Sequence, residues 1–114
     1  MSSGNLETLR DQLRTFALER EWDQFHSPKN LAIALSVEAS ELLEHFQWAT
    51  EESSYSPPIT EVKKEMGDVL LYLIRLADKL DVDLFSAAQS KLEENAQKYP
   101  IEKAKGSSKK YTNL

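Results

Sequence analysis

Apolar residues recur along this chain with the spacing of helices and nowhere with the alternation of strands. Leu6, Leu9, Leu13, Phe16 and Ala17 draw a single apolar stripe and predict a helix over 6–20. An aromatic stretch, Glu21-Trp22-Asp23-Gln24-Phe25-His26, then runs into Ser27-Pro28. A serine hydroxyl accepts from the open amides of a first turn. Proline in the first helical position gives up a donor that has no partner there, so a second helix is expected over 28–48. Residues 49–56 are small, acidic and polar, and Ser56-Pro57-Pro58 closes that loop and opens a third helix over 58–80. Within it Val69-Leu70-Leu71-Tyr72-Leu73-Ile74 is apolar nearly all round, a pattern that a surface helix of a small monomer does not tolerate. A partner chain is therefore expected to cover part of it. Asp81-Val82-Asp83 offers the next cap, and Leu84, Ala87, Ala88, Lys91, Leu92, Asn95 and Tyr99 mark one side of a fourth helix that ends before Pro100. The expectation is an all-α fold, a four-helix bundle assembled from more than one chain. Residues 1–114 are read as one domain with flexible ends near 1–4 and 103–114.

Four carboxylates on the apolar faces change this picture. At about 100° per residue, Glu38 falls within roughly 60° of Leu31, Leu35 and Leu42, on the face that should pack against other helices. Glu65 stands in the same relation to Val62, Val69 and Leu76, and Glu41 and Asp68 each lie one turn beyond, about 60° to the side. A buried carboxylate without compensation costs several kcal/mol or takes up a proton, so four of them call for cations. Carboxylates three positions apart project from neighbouring turns, and two helices packed about 8–10 Å apart can present both pairs to one space. Oxygen donors without histidine or thiolate favour a hard ion such as magnesium, which keeps positions open for water and phosphate. The bland alternative is that these acids are solvated or paired with Lys63, Lys64 or Arg75. Asp23, Glu44, Glu51 and Glu52 lack the apolar context and are read as surface charge.

Composition narrows the function classes. The chain has 114 residues and a net charge of −5, and a lysine-rich tail leaves the body more acidic than that total. An acidic body excludes the basic groove that a nucleic-acid polymer would need. The absence of cysteine removes disulfides, thiol chemistry and cysteine-ligated zinc, and fits a reducing compartment. The opening Met1-Ser2-Ser3-Gly4 lacks the regions of a signal peptide, and no apolar run is long enough for a bilayer. The expectation is a cytoplasmic, soluble protein that binds no membrane.

A second constellation is aromatic. Trp22 and His26 are four apart, Trp48 closes the second expected helix, and Tyr72 shares nearly the face of Glu65 seven residues earlier. Aromatic faces stack on nucleobases, although a tryptophan or tyrosine at helical spacing is more often a core residue. His26 also suits a cap or a surface position, as does His45. Lys91, Asn95 and Lys98 could neutralise phosphates, and a solvated helix face explains them equally well.

Together, residues 19–31 (Glu-Arg-Glu-Trp-Asp-Gln-Phe-His-Ser-Pro-Lys-Asn-Leu), Glu38-Ala39-Ser40-Glu41-Leu42, Phe46-Gln47-Trp48, Glu65-Met66-Gly67-Asp68-Val69 and the stretch from Lys91 through Asn95 to Tyr99-Pro100 resemble the MazG-like nucleotide pyrophosphohydrolases, and among them the dCTP pyrophosphatase branch. The resemblance runs from about Leu6 to Thr112. It implies magnesium-dependent hydrolysis of a nucleoside triphosphate to a monophosphate and pyrophosphate, in a housekeeping role on the nucleotide pool. It places Glu38, Glu41, Glu65 and Asp68 as catalytic metal ligands and Trp22, His26, Trp48 and Tyr72 around the nucleotide. It places Lys91, Asn95, Lys98 and Tyr99 near the phosphates. It also implies a homo-oligomer, a tetramer built as a dimer of dimers, or a dimer. Leu13 stands where a mammalian relative carries a substrate-contacting histidine, so the resemblance leaves the base preference of this chain open. The rivals are a dUTP or phosphoribosyl-ATP pyrophosphohydrolase and, from another class, a helical interaction module that binds no nucleotide. A di-iron bundle would need Glu-x-x-His on facing helices, which neither acidic pair supplies.

Overall fold

The computed structural model describes residues 5–49 and 56–114, and the expectations for the ends at 1–4 and for Glu51 and Glu52 lie outside them. The described residues are helical or irregular, with no strand among them. They divide into two compact units, Met1–Val82 and Asp83–Leu114.

In the first unit α1 spans Leu6–Glu19, α2 Pro28–Glu44 and α3 Ile59–Lys79. Asn5 caps α1 by accepting from the Thr8 amide at 2.8 Å, and the Ser27 hydroxyl caps α2 by accepting from Asn30 at 3.1 Å with Pro28 in the first position, as expected. Replacing Ser27 with alanine is expected to destabilise the fold by about 1 kcal/mol, read as a lower midpoint in urea. Past α1 the chain reverses through Glu21, at φ 54°, whose amide and that of Trp22 return to the carbonyls of Leu18 and Ala17. This left-handed turn, a place where glycine is usual, swings the aromatic stretch back along α1 as a 3-10 turn at Asp23–Phe25. Asp81, at φ 56°, ends α3 in the same way.

The second helix stops four residues short of the expected end. From His45 to Ala49 the backbone bonds tighten, as in Phe46 N–H to Leu43 and Ala49 N–H to Phe46, both at 2.9 Å, so the chain unwinds into turns and Trp48 stands outside the helix. Packing is most extensive between α2 and α3, and α1 lies against α3. Among the described residues Ala17, Leu31, Val62, Ile74 and Ala77 are the buried apolar ones, whereas Ile33, Val37, Leu43, Phe46, Met66 and Leu70 are exposed on the isolated chain. That is a thin core for a chain of this length.

The second unit consists of α4, Leu84–Lys98, a short α5, Ile101–Ala104, and a 3-10 turn at Tyr111–Asn113. Asp83 caps α4 through the Ser86 amide at 3.0 Å. The segment after 103 holds the last residue of α5 and the 3-10 turn, where Tyr111 meets Tyr99 edge to face at 6.0 Å between ring centres. No described helix is long and apolar enough to cross a membrane.

Candidate active site

The pairing of α2 with α3 brings the two acidic motifs face to face. Glu38 on α2 and Glu65 and Asp68 on α3 each place a carboxylate oxygen within 4.8 Å of the others. Glu41 stands outside this group of three but touches Glu38. The periodicity is reproduced in the exposures: Glu38, Glu65 and Glu41 are half-buried, and Asp68 is open to solvent.

The electrostatics of this cluster are unfavourable without a cation. One oxygen of Glu38, Oε2, and one of Glu65, Oε2, are buried with no hydrogen-bond partner. The Glu38 carboxyl is pushed up to about 7, first by the Glu65 carboxylate against it, then by burial, then by Glu41 and the charge of Asp68. Among the described residues no ion pair reaches Glu38, Glu41, Glu65 or Asp68. Two of the three candidate neutralisers have other partners, Lys64 lying 3.5 Å from Glu61 and Arg75 pairing with Asp23 and Asp78, and the third, Lys63, is exposed. An all-oxygen donor set with two orphaned buried atoms fits a hard divalent cation.

The other candidate residues fall into separate groups. Trp22 meets Phe16 edge to face at 5.6 Å and His26 at 6.5 Å, so the turn after α1 holds an aromatic cluster. Trp48 is 80% exposed, and so is no core residue of this chain. Tyr72 is half-buried on α3, two turns along from Glu65. In the second unit Lys91 and Lys98 lie 3.4 and 3.0 Å from Glu94, with Asn95 beside them and Tyr99 closing α4. The two lysines, read as phosphate neutralisers or surface charge, are thus anchored on one carboxylate of their own helix.

Sequence reasoning missed a network behind the aromatic cluster. Arg75 is 6% exposed, and it donates to His26 Nδ1 at 3.2 Å and to Asp23 at 2.5 Å. Lys79 also donates to Asp23, whose carboxyl is held below the usual range by Lys79 first and Arg75 second. Arg14 of α1 grips Asp78 with two bonds, at 2.7 and 2.5 Å. The signal available was the spacing of Arg75, Asp78 and Lys79 on one helix, but their partners on other elements sit 49 to 64 positions away.

The MazG-like family matches residues 33–114, a span that contains both acidic motifs. The chain belongs to the MazG-like family. It is 45% identical over 114 residues to dCTP pyrophosphatase 1 of Mus musculus, covering 96% of this chain and 67% of that protein. The Homo sapiens protein of the same name is 44% identical over the same shares. A crystal structure of a pyrophosphatase from Archaeoglobus fulgidus aligns with a TM-score of 0.79 at 38% identity, covering 88% of this chain and 96% of the archaeal one. The fold of this MazG-like chain is therefore matched by a solved relative over most of its length.

Proposed function

We propose that this MazG-like chain is a nucleoside triphosphate pyrophosphohydrolase. It converts a (deoxy)nucleoside triphosphate, dCTP or another dNTP, to the monophosphate and pyrophosphate. The observation that carries the proposal is the convergence of Glu38, Glu65 and Asp68 with two orphaned buried oxygens and, among the described residues, no cationic side chain paired to them. The names of the relatives, dCTP pyrophosphatase 1 and pyrophosphatase, support the substrate class.

Glu38, Glu65 and Asp68, with Glu41 beside Glu38, would hold magnesium. When bound, magnesium supplies Lewis-acid polarisation and charge neutralisation at the phosphates. The chain's own groups do the rest. Water attacks the α-phosphorus, the bond to the bridging oxygen breaks, and pyrophosphate leaves while one of the four carboxylates accepts the water proton. Trp22, His26, Trp48 and Tyr72 enclose the nucleoside. Lys91, Asn95, Lys98 and Tyr99 serve the phosphates, the lysines exchanging Glu94 for phosphate oxygens. The exposed apolar side chains of α2 and α3 fit burial in a homo-oligomer, a tetramer as a dimer of dimers or a dimer. A cytoplasmic nucleotide pool is the setting that fits a chain without cysteine.

A panel of nucleoside triphosphates, dUTP and phosphoribosyl-ATP included, run with magnesium and again with chelator, tests this reading. Monophosphate plus pyrophosphate from one of them, only with magnesium, is the expected result. No product from any would return the chain to the interaction-module reading. Trp48→Ala removes an exposed ring and should spare the fold. Stacking is worth about 1–3 kcal/mol, so KM for the preferred nucleotide is expected to rise by about fivefold or more and KM for inorganic triphosphate to stay unchanged. Equal shifts would remove Trp48 from the base site.

A further inference from the structure

Arg75 is the one buried charged side chain among the described residues of the core, and its guanidinium is shared among three partners. Nε donates to His26 Nδ1 at 3.2 Å, Nη2 donates to Asp23 at 2.5 Å, and Nη1 lies 3.6 Å from Asp78. Asp78 is itself gripped by Arg14, and Asp23 by Lys79, so the guanidinium is fixed from two sides. A guanidinium has only donors, so the imidazole nitrogen it meets must offer a lone pair. The ring proton of His26 is then on Nε2, and a second proton on Nδ1 would face the N–H of Arg75. Burial pushes the His26 pKa down, the charges of Arg75 and Lys79 push it further, and Asp23 opposes them.

We propose that Arg75 is a positioning residue for substrate selection: it holds His26 as the neutral Nε2–H tautomer, edge-on to Trp22, so that this pair reads an acceptor atom of the nucleobase, a carbonyl oxygen or an unprotonated ring nitrogen. This rests on the placement of Trp22 and His26 against the nucleoside in the proposed function. A phosphate oxygen is matched best by a cationic donor, which the Arg75 contact denies to His26. A base edge needs a neutral donor and an aromatic face beside it. Trp22, half exposed with its ring 6.5 Å from the imidazole at 68°, supplies the face. A base that turns an N–H to this edge leaves two donors opposed, and buried unpaired polar groups are what give strong discrimination between bases. If the tautomer were free to exchange, Nδ1–H forms would accept such bases and the discrimination would relax.

Nitrogen-15 NMR of the imidazole in the full-length protein near neutral pH reads the tautomer directly. Nδ1 is expected unprotonated and Nε2 protonated. Arg75→Lys keeps a positive charge between Asp23 and Asp78 but lacks the fork that reaches His26 as well. In this variant a mixture of tautomers is expected, with KM for the preferred nucleotide raised by about fivefold, preference among bases reduced and kcat held within about twofold. His26→Ala should raise KM similarly, and Arg75→Lys added to it should change nothing more, because the two act as one unit. A proton on Nδ1 in the wild type, an active Arg75→Lys variant with unaltered KM and preference, or additive effects in the double variant would each overturn the proposal. A wild-type protein with the expected tautomer that hydrolyses no triphosphate would instead remove the functional reading, and the role in base selection with it.

Discussion

Glu38→Gln is expected to lower turnover by about a thousandfold while leaving the helical content intact. The amide occupies the same space as the carboxylate, so the packing of α2 on α3 is kept. What is lost is a negative oxygen beside those of Glu65 and Asp68, where the proposed cation would be held. Metal assistance is worth several kcal/mol, and each 1.36 kcal/mol is tenfold in rate, which gives the size of the effect. The same substitution should make the metal-free protein harder to unfold near pH 8, because it removes one member of a crowded acidic group. Initial rates beside circular dichroism melts check both halves. Full magnesium-dependent activity in the variant would remove Glu38 from the ligand set. Asp68→Asn is expected to follow it in activity with a smaller gain in heat resistance, since Asp68 is exposed.

The second large effect concerns pH and magnesium together. The Glu38 carboxyl is raised from 4.5 to about 7 in the folded chain, so the folded state binds its proton more tightly than the unfolded state does. Stability from this group is fully present below about 4.5 and is lost as pH rises through about 7. The metal-free wild type should therefore lose stability relative to Glu38→Gln over that window, a comparison in which the opposite contribution of His26, whose pKa is lowered, cancels. On the proposed reading magnesium would bind the deprotonated cluster, so its stabilising effect should be greatest above pH 7. At about 100 times the dissociation constant, mass action adds about 2.7 kcal/mol, or roughly 10 °C in Tm for a chain of this length. Melting curves at fixed protein concentration with magnesium and with chelator measure it. A metal-free wild-type Tm that does not fall relative to that of Glu38→Gln from pH 5 to 8, or one that magnesium leaves unmoved, would contradict the account.

Much of this could be read from local pattern. The caps at Ser27 and Asp83, the break at Pro58 and the placement of Glu38 and Glu65 on inward faces each depend on residues a few positions apart, and all four appear in the structure. The end of α2 was less legible, because neither glycine nor proline marks it and the change at His45 lies in hydrogen-bond register alone. The Arg75 network was illegible for a different reason. Asp23 was read as surface charge, and it is 58% exposed, but its partners Arg75 and Lys79 come from another helix and reach it only after folding. Long-range pairing carries no periodic signature in a single sequence. Glu94 escaped notice likewise, although its two lysines at three and four positions follow the ordinary helix rule.

Calorimetric titration of magnesium into the wild-type protein and into Glu38→Gln, near pH 7 and in buffers of different ionisation enthalpy, tests the central claim most directly. The account expects saturable binding to the wild type with release of a fraction of a proton from the raised Glu38 carboxyl, and loss of both in the variant. Equal binding by the two proteins, or none by either, would contradict a cation held between α2 and α3.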